Sequence, residues 1–120
     1  MKVYLYIVLL FLVACASKPD LPDAFQAGWK GESVAEIVHE DDNIRILRCT
    51  FPPGVGHEKH YHEPHIGYTL KGSTFKITDK EGTRTVKVPT GTTFHKDDIY
   101  IHEVVNIGDS TAVFLIIEPK

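Results

Sequence analysis

Cysteine is scarce. The chain has two in 120 residues, too few for the disulfide framework that staples many small secreted domains. It has no basic run, and 13 Lys plus Arg stand against 16 Asp plus Glu, for a net charge of −3 with histidine neutral. That balance excludes the electrostatic footprint of a protein whose main partner is nucleic acid. No apolar run reaches the ~20 residues that a bilayer-spanning helix needs, and no segment carries a sustained helical period. Low-complexity tracts and internal repeats are also missing. What remains is 42% hydrophobic and 24% charged, ordinary globular usage that fits neither disorder nor a coiled coil, in a chain long enough for one core.

The N-terminus stands apart. Behind Met1 and Lys2, the apolar stretch from Val3 to Ala14 has the length of a signal-peptide hydrophobic region. Its end, Leu12-Val13-Ala14-Cys15, resembles a bacterial lipoprotein signal, in which the cysteine is lipidated and becomes the mature terminus. The alternative is a buried strand or short helix with Cys15 as a core thiol. The lipoprotein resemblance implies a signal peptide over 1–14, lipidated Cys15, and anchorage at the cell envelope. This would be the periplasmic face of a bacterial membrane, and Ala16 in place of Asp favours the outer one. Residues 15–31, with Pro19, Pro22, Gly28 and Gly31, read as a tether, although Phe25 and Trp29 offer apolar surface to the body. Cys49 then has no partner. It alternates with Leu47 and Phe51 on one face of a strand, the pattern of a small buried hydrophobe.

From residue 32 to 120, short alternating runs are separated by turn chemistry: Asp41-Asp42-Asn43, Pro52-Pro53-Gly54, Lys71-Gly72, Asp79 to Gly82, Pro89-Thr90-Gly91 and Gly108-Asp109. The spacing predicts an all-β domain, a single antiparallel jelly-roll barrel (a double-stranded β-helix). Strands are expected over 35–40, 44–51, 57–62, 66–70, 74–78, 83–88, 92–95, 99–106 and 111–118.

Seven histidines are present, and His57, His60, His62 and His65 fall within nine residues. Strand side chains alternate faces, so His60 and His62 project together, near enough to share one ion. Pro64 cannot donate to a ladder and marks a bend that can bring His65 to the same face. His57 has the wrong parity and is placed at the start of the strand. His102 is a further candidate, far along the chain. His39 and His95 stand alone among turn or edge residues and read as surface groups. Glu58 and Glu63 read as solvated neighbours of the cluster.

The segment from Gly54 to Gly72 resembles the first cupin motif: Gly54, five residues, His60-Tyr61-His62, then an apolar strand closing at Gly72. Gly91 to Asn106 resembles the second, with ten residues between the glycine and His102, and Asn106 four positions further on. The resemblance covers about residues 45 to 118, and by it His60, His62 and His102 correspond to the three metal-ligating histidines. His65 stands where the family carries a glutamate ligand, with one residue fewer after the second histidine. Asp97-Asp98-Ile99 replaces the Pro-x-Gly of the second motif.

The resemblance implies one divalent transition metal (Fe, Ni, Mn or Zn) on His60, His62, His65 and His102. Imidazole suits all four ions. Histidine ligands leave the ion's charge undiminished, which favours anionic donors in its open positions. Phe51, Tyr68, Phe75, Phe94, Tyr100 and Phe114 are the candidate pocket lining. The implied function is a metal-binding cupin, in one reading a dioxygenase-type enzyme acting on a small anionic molecule, in the other a non-catalytic binder of metal or small ligand. A sugar isomerase is a third reading without motif support. The resemblance also implies a homodimer, with Ala35 to Val38 and Leu115 to Ile117 at an edge or interface.

Overall fold

A computed structural model describes residues 18–120. The signal peptide expected over 1–14 and Cys15 lie outside the described residues. The described residues form eleven strands: β1 Gly28–Trp29, β2 Glu32–Ser33, β3 Ala35–Glu40, β4 Ile44–Phe51, β5 Gly56–His62, β6 His65–Lys71, β7 Ser73–Asp79, β8 Gly82–Val88, β9 Thr93–Lys96, β10 Tyr100–Asn106 and β11 Ala112–Pro119. They build a four-stranded sheet in the order β5-β10-β7-β8, a five-stranded sheet in the order β3-β4-β11-β6-β9, and the small pair β1-β2. All the strand pairings are antiparallel. The all-β fold and its antiparallel sheets are as expected from the alternation.

Alternation also explains the core. Leu47, Cys49 and Phe51 of β4 point inward, and Ala112, Phe114 and Ile116 of β11 do the same from the neighbouring strand. Phe75 and Val104 meet them from the other sheet. Each fully buried Leu or Phe side chain contributes about 1.5–3 kcal/mol relative to exposure. Gly67 of β6 has no side chain because the Phe94 ring lies where its Cβ would be. Asn106, wholly buried at the end of β10, donates from Nδ2 to the carbonyls of Phe51 and Ser110, both at 2.8 Å, and accepts from Ser73 Oγ at 2.8 Å. It pins the strand that carries His102.

Two expectations are corrected here. The segment expected as a tether is packed on the barrel from Leu21 onward. Ala24 and Ala27 are buried, Asp23 Oδ1 accepts from the backbone of Phe25 and Gln26, and the Tyr61 amide donates to the Pro22 carbonyl at 3.1 Å. This strap pairs in a parallel bridge with β5 at Asp23 and Tyr61. Arg45 fastens it, reaching Asp23 at 3.2 Å and Glu118 at 2.7 Å. Its strands β1 and β2 are two residues each, too short to show a period. Second, of the edge or interface expected for Leu115 to Ile117, the edge is ruled out: they occupy the middle of the five-stranded sheet, where β4 and β6 flank β11. Ala35 to Val38 do lie on an edge strand.

Candidate metal centre

The site is made where β5 and β10 pair. Their register sets His60 opposite His102 and His62 opposite Tyr100, so all three histidines face the barrel interior. The Nε2 atoms converge, with 2.9 Å from His60 to His62, 3.0 Å from His62 to His102 and 3.1 Å from His102 to His60. His60 and His62 are almost wholly buried. His60 Nδ1–H donates to the Glu58 carbonyl at 2.7 Å. That bond fixes the tautomer and turns the Nε2 lone pair toward its two neighbours. His62 Nδ1 has no partner among the described residues.

This donor set fits a metal ion. Nitrogens about 2.1 Å from a common metal are about 3.0 Å apart when the ligand–metal–ligand angles are near 90°, and about 3.4 Å apart at tetrahedral angles. The observed separations match the first case, in which the three histidines would hold an ion from one side. Electrostatics agree. Burial pushes His60 down to about 4, and carries His62 and His102 well below the usual histidine range, with the mutual proximity of the rings adding to it. The three imidazoles are therefore neutral at pH 7, the form in which they bind a metal.

His65 reaches the interior across the bend at Pro64, as expected, but on the facing sheet. Glu63 and Pro64 form the connection by which the chain leaves one sheet for the other, and His65 opens β6 on the opposite wall. Its ring lies 4.4 Å from that of His62, and its Nδ1–H donates to the Glu63 carbonyl at 2.8 Å. Its nitrogens nevertheless fall outside the converging group, which consists of His60, His62 and His102. The structure thus gathers three of the four expected ligands and sets His65 beside them.

His57 is the residue that parity misplaced. It is buried, stacked on His60 with ring centroids 3.8 Å apart, and its Nε2 lies 3.2 Å from the Ala27 carbonyl of the strap. Two residues of β5, Glu58 and Lys59, lie between His57 and His60, whereas one residue of β10, Glu103, lies between their partners His102 and Val104. The extra residue is a β-bulge, which resets the alternation and turns both histidines inward. The signal in the sequence is Glu58-Lys59, two adjacent charges that are both exposed. Burial, and then the neighbouring His60, push His57 down to about 3.

A cavity of about 290 Å³ opens beside the histidines, walled by Phe51, Phe75, Phe94, Tyr100 and Phe114 together with His57, His62, His65 and His102. Tyr68 does not belong to this wall. On β6 the inward positions are His65, Gly67 and Thr69, so Tyr68 faces outward and is 40% exposed. At one end of the cavity the Tyr100 hydroxyl donates to Asp79 Oδ2 at 2.6 Å, which also receives Arg84 at 3.0 Å. Sequence reasoning did not anticipate this trio, which joins β7, β8 and β10.

Similarity to solved structures is extensive. A cupin domain from Bordetella pertussis superposes with a TM-score of 0.68 at 20% identity, over 86% of this chain and 99% of that one. The fold is the cupin jelly roll. The polyketide cyclase RemF from Streptomyces resistomycificus matches with a TM-score of 0.63 at 20% identity, over 83% of this chain and 74% of its own. A cupin of the RmlC-like type from Desulfovibrio desulfuricans matches with a TM-score of 0.54 at 25% identity, over 71% and 80%. No family model matches the chain, and no curated protein matches it. The cupin barrel accounts for the two-sheet architecture and for a site between the sheets. The chemistry rests on this chain's own side chains.

Proposed function

We propose that this cupin holds one divalent transition metal on His60, His62 and His102 and acts on a small anionic molecule bound beside it, in dioxygenase-type chemistry. The observation that carries the metal reading is the convergence of three Nε2 atoms at 2.9–3.1 Å. Three nitrogens gathered at one point, with the His60 Nε2 lone pair turned toward it by the Nδ1–H bond to Glu58, offer a cation three donors, and this supports a bound ion. When bound, the metal supplies Lewis acidity toward an anionic donor and, if it is iron, redox chemistry with O₂.

The chain's own residues do the rest. His60 is held in its ligating tautomer by the Glu58 carbonyl. His65 has its Nδ1–H engaged at Glu63, which leaves Nε2 as a proton acceptor beside the site. The phenylalanine wall keeps the interior dry and strengthens every polar contact made there. Anchorage at the cell envelope through Cys15 belongs to the same proposal and is supported by the Leu12 to Cys15 sequence.

Elemental analysis of the purified full chain beside His62→Ala and His102→Ala tests the reading. One equivalent of Fe, Ni, Mn or Zn in the parent, lost from both variants while circular dichroism is unchanged, is the expected result. Full metal content in either variant overturns the site. Metal without O₂ consumption across thiols, diketones and catechols replaces the enzyme with a metal-binding or ligand-binding module.

A further inference from the structure

The cavity is polarised from end to end. Strand register sorts its walls: His65 pairs with Lys96 and Tyr100 with His62 at one end, while Phe51 pairs with Ala112 and Phe75 with Asn106 at the other. The far end is an aromatic floor. Phe51 and Phe75 meet edge to face at 5.8 Å, and Phe75 and Phe114 at 5.5 Å. The charged lining residues are Arg84, Lys87 and Lys96, and no aspartate or glutamate is among them. Lys96 lies at the histidine end, opposite His65, whereas Lys87 pairs with Thr74 beside the aromatic floor. Lys87 lies between the half-buried Val86 and Val88, so strand alternation turns it outward. Arg84 is already committed to Asp79 at 3.0 Å. Lys96 has no carboxylate within salt-bridge distance among the described residues. Its ammonium lies 4.3 Å from the centroid of the Tyr100 ring, whose own centroid is 4.7 Å from that of His102. An uncommitted, solvent-exposed cation thus rests on an aromatic face at the histidine-side mouth of the chamber, opposite its phenylalanine floor.

We propose that the barrel takes a small monoanion of the carboxylate class with an aromatic or aliphatic body, its charge at Lys96 with Arg84 alongside and its hydrocarbon on Phe51, Phe75 and Phe114. The volume, about 290 Å³, lies at the small end of the range of roughly 300–1,000 Å³ for ligand sites, so a single-ring acid fits the chamber and a sugar nucleotide does not. A dicarboxylate is disfavoured because its second charge would be desolvated against phenylalanine without a partner. This inference deepens the proposed function and rests on its reading of the barrel interior as the substrate site. It does not require the metal.

The probes are 3-phenylpropanoate and its uncharged amide, titrated calorimetrically into the full chain, both as purified and after chelator treatment. The acid is expected to bind about tenfold more tightly than the amide, the size of one favourable charge contact in a partly desolvated site. Lys96→Gln should abolish that preference, Lys96→Arg should retain it, and Phe75→Leu should weaken acid and amide alike. Equal affinity for the two probes, a preference that survives Lys96→Gln, or no binding of either probe overturns the inference. Metal content, measured on the same samples, is expected to be unchanged in Lys96→Gln. A parent without metal that still prefers the acid refutes the metal reading alone, and a metal-loaded parent without the preference refutes this inference alone.

Discussion

Replacing Arg45 by alanine removes a cation that holds the strap and β11 together. Its guanidinium donates from Nε to Glu118 Oε2 at 2.8 Å and from Nη1 to Asp23 Oδ2 at 3.2 Å. The Glu118 side chain is only 6% exposed, and its other oxygen, Oε1, has no partner among the described residues. Deleting one member of a buried pair strands the other, at a cost of about 3–5 kcal/mol. Arg45 and Asp23 keep 15% and 20% exposure, so the lower figure applies. A loss of about 3 kcal/mol corresponds to roughly 12–24 °C in Tm for a domain of this size.

The pH dependence is the sharper test. Burial already holds the Glu118 carboxyl above its ordinary value against the pull of Arg45, and losing the guanidinium raises it further. An acid whose folded pKa exceeds its unfolded one costs stability as pH rises through the unfolded value, in full only above the folded value. Arg45→Ala should therefore be nearly tolerated at pH 4.5 and heavily penalised at pH 7.5. Urea unfolding at both pH values measures this, and the single tryptophan helps. Trp29 lies in the strap against Gly56, so its fluorescence follows the strap while far-UV circular dichroism follows the barrel. Adding Glu118→Gln to the variant should flatten the pH dependence. A loss below about 1 kcal/mol at pH 7.5, or an equal loss at both pH values, would refute the reasoning.

Two further outcomes are expected. In chelator-treated protein, the low folded values of His57 and His60, about 3 and about 4, mean that the unfolded chain takes up protons first as pH falls below ~6.5. Stability is then full above pH 6.5 and lost below it, by about 4 kcal/mol at pH 5 for the two together at ~1.4 kcal/mol per pH unit each. A thermal midpoint that stays constant from pH 7 to 5 would contradict the buried placement of these rings. The Cys49 thiol, pushed up to about 12 by burial, should resist maleimide in the native protein for hours and react within minutes in denaturant. Rapid native labelling would show that β4 does not bury it.

Much of the barrel was legible because its strands alternate cleanly and its turns carry Pro, Gly and Asp in the usual places. The histidine trio was legible for the same reason, since His60 and His62 differ by two and His102 sits in a second recognisable motif. Each failure traces to a place where period two does not hold or does not inform. The bulge at Glu58-Lys59 reversed the parity of His57. The passage from β5 to β6 switches sheets, so His65 arrives from the facing wall and alternation along one strand cannot position it. Tyr68 was chosen for its aromaticity, and its odd offset from Gly67 and Thr69 sends it outward. The strap is held by Asp23, Arg45 and two alanines, contacts between distant parts of the chain that leave no local pattern.

The strap also changes what the outside of the barrel offers to other chains. A sheet ends in a row of unused amides and carbonyls, and such a row templates aggregation unless something blunts it. β3 carries Glu36 and Glu40 with a register shift between Ile37 and His39. β9 is four residues long and ends on a lysine, and β8 bears Arg84 and Lys87. β5 is the fourth edge, and the strap covers it, taking the Tyr61 amide at Pro22 and placing Lys30 N–H against Glu58. A chain cut before Gly31 would keep the histidines and lose that cover. The strand that presents two of the three ligands would then become the protein's stickiest surface.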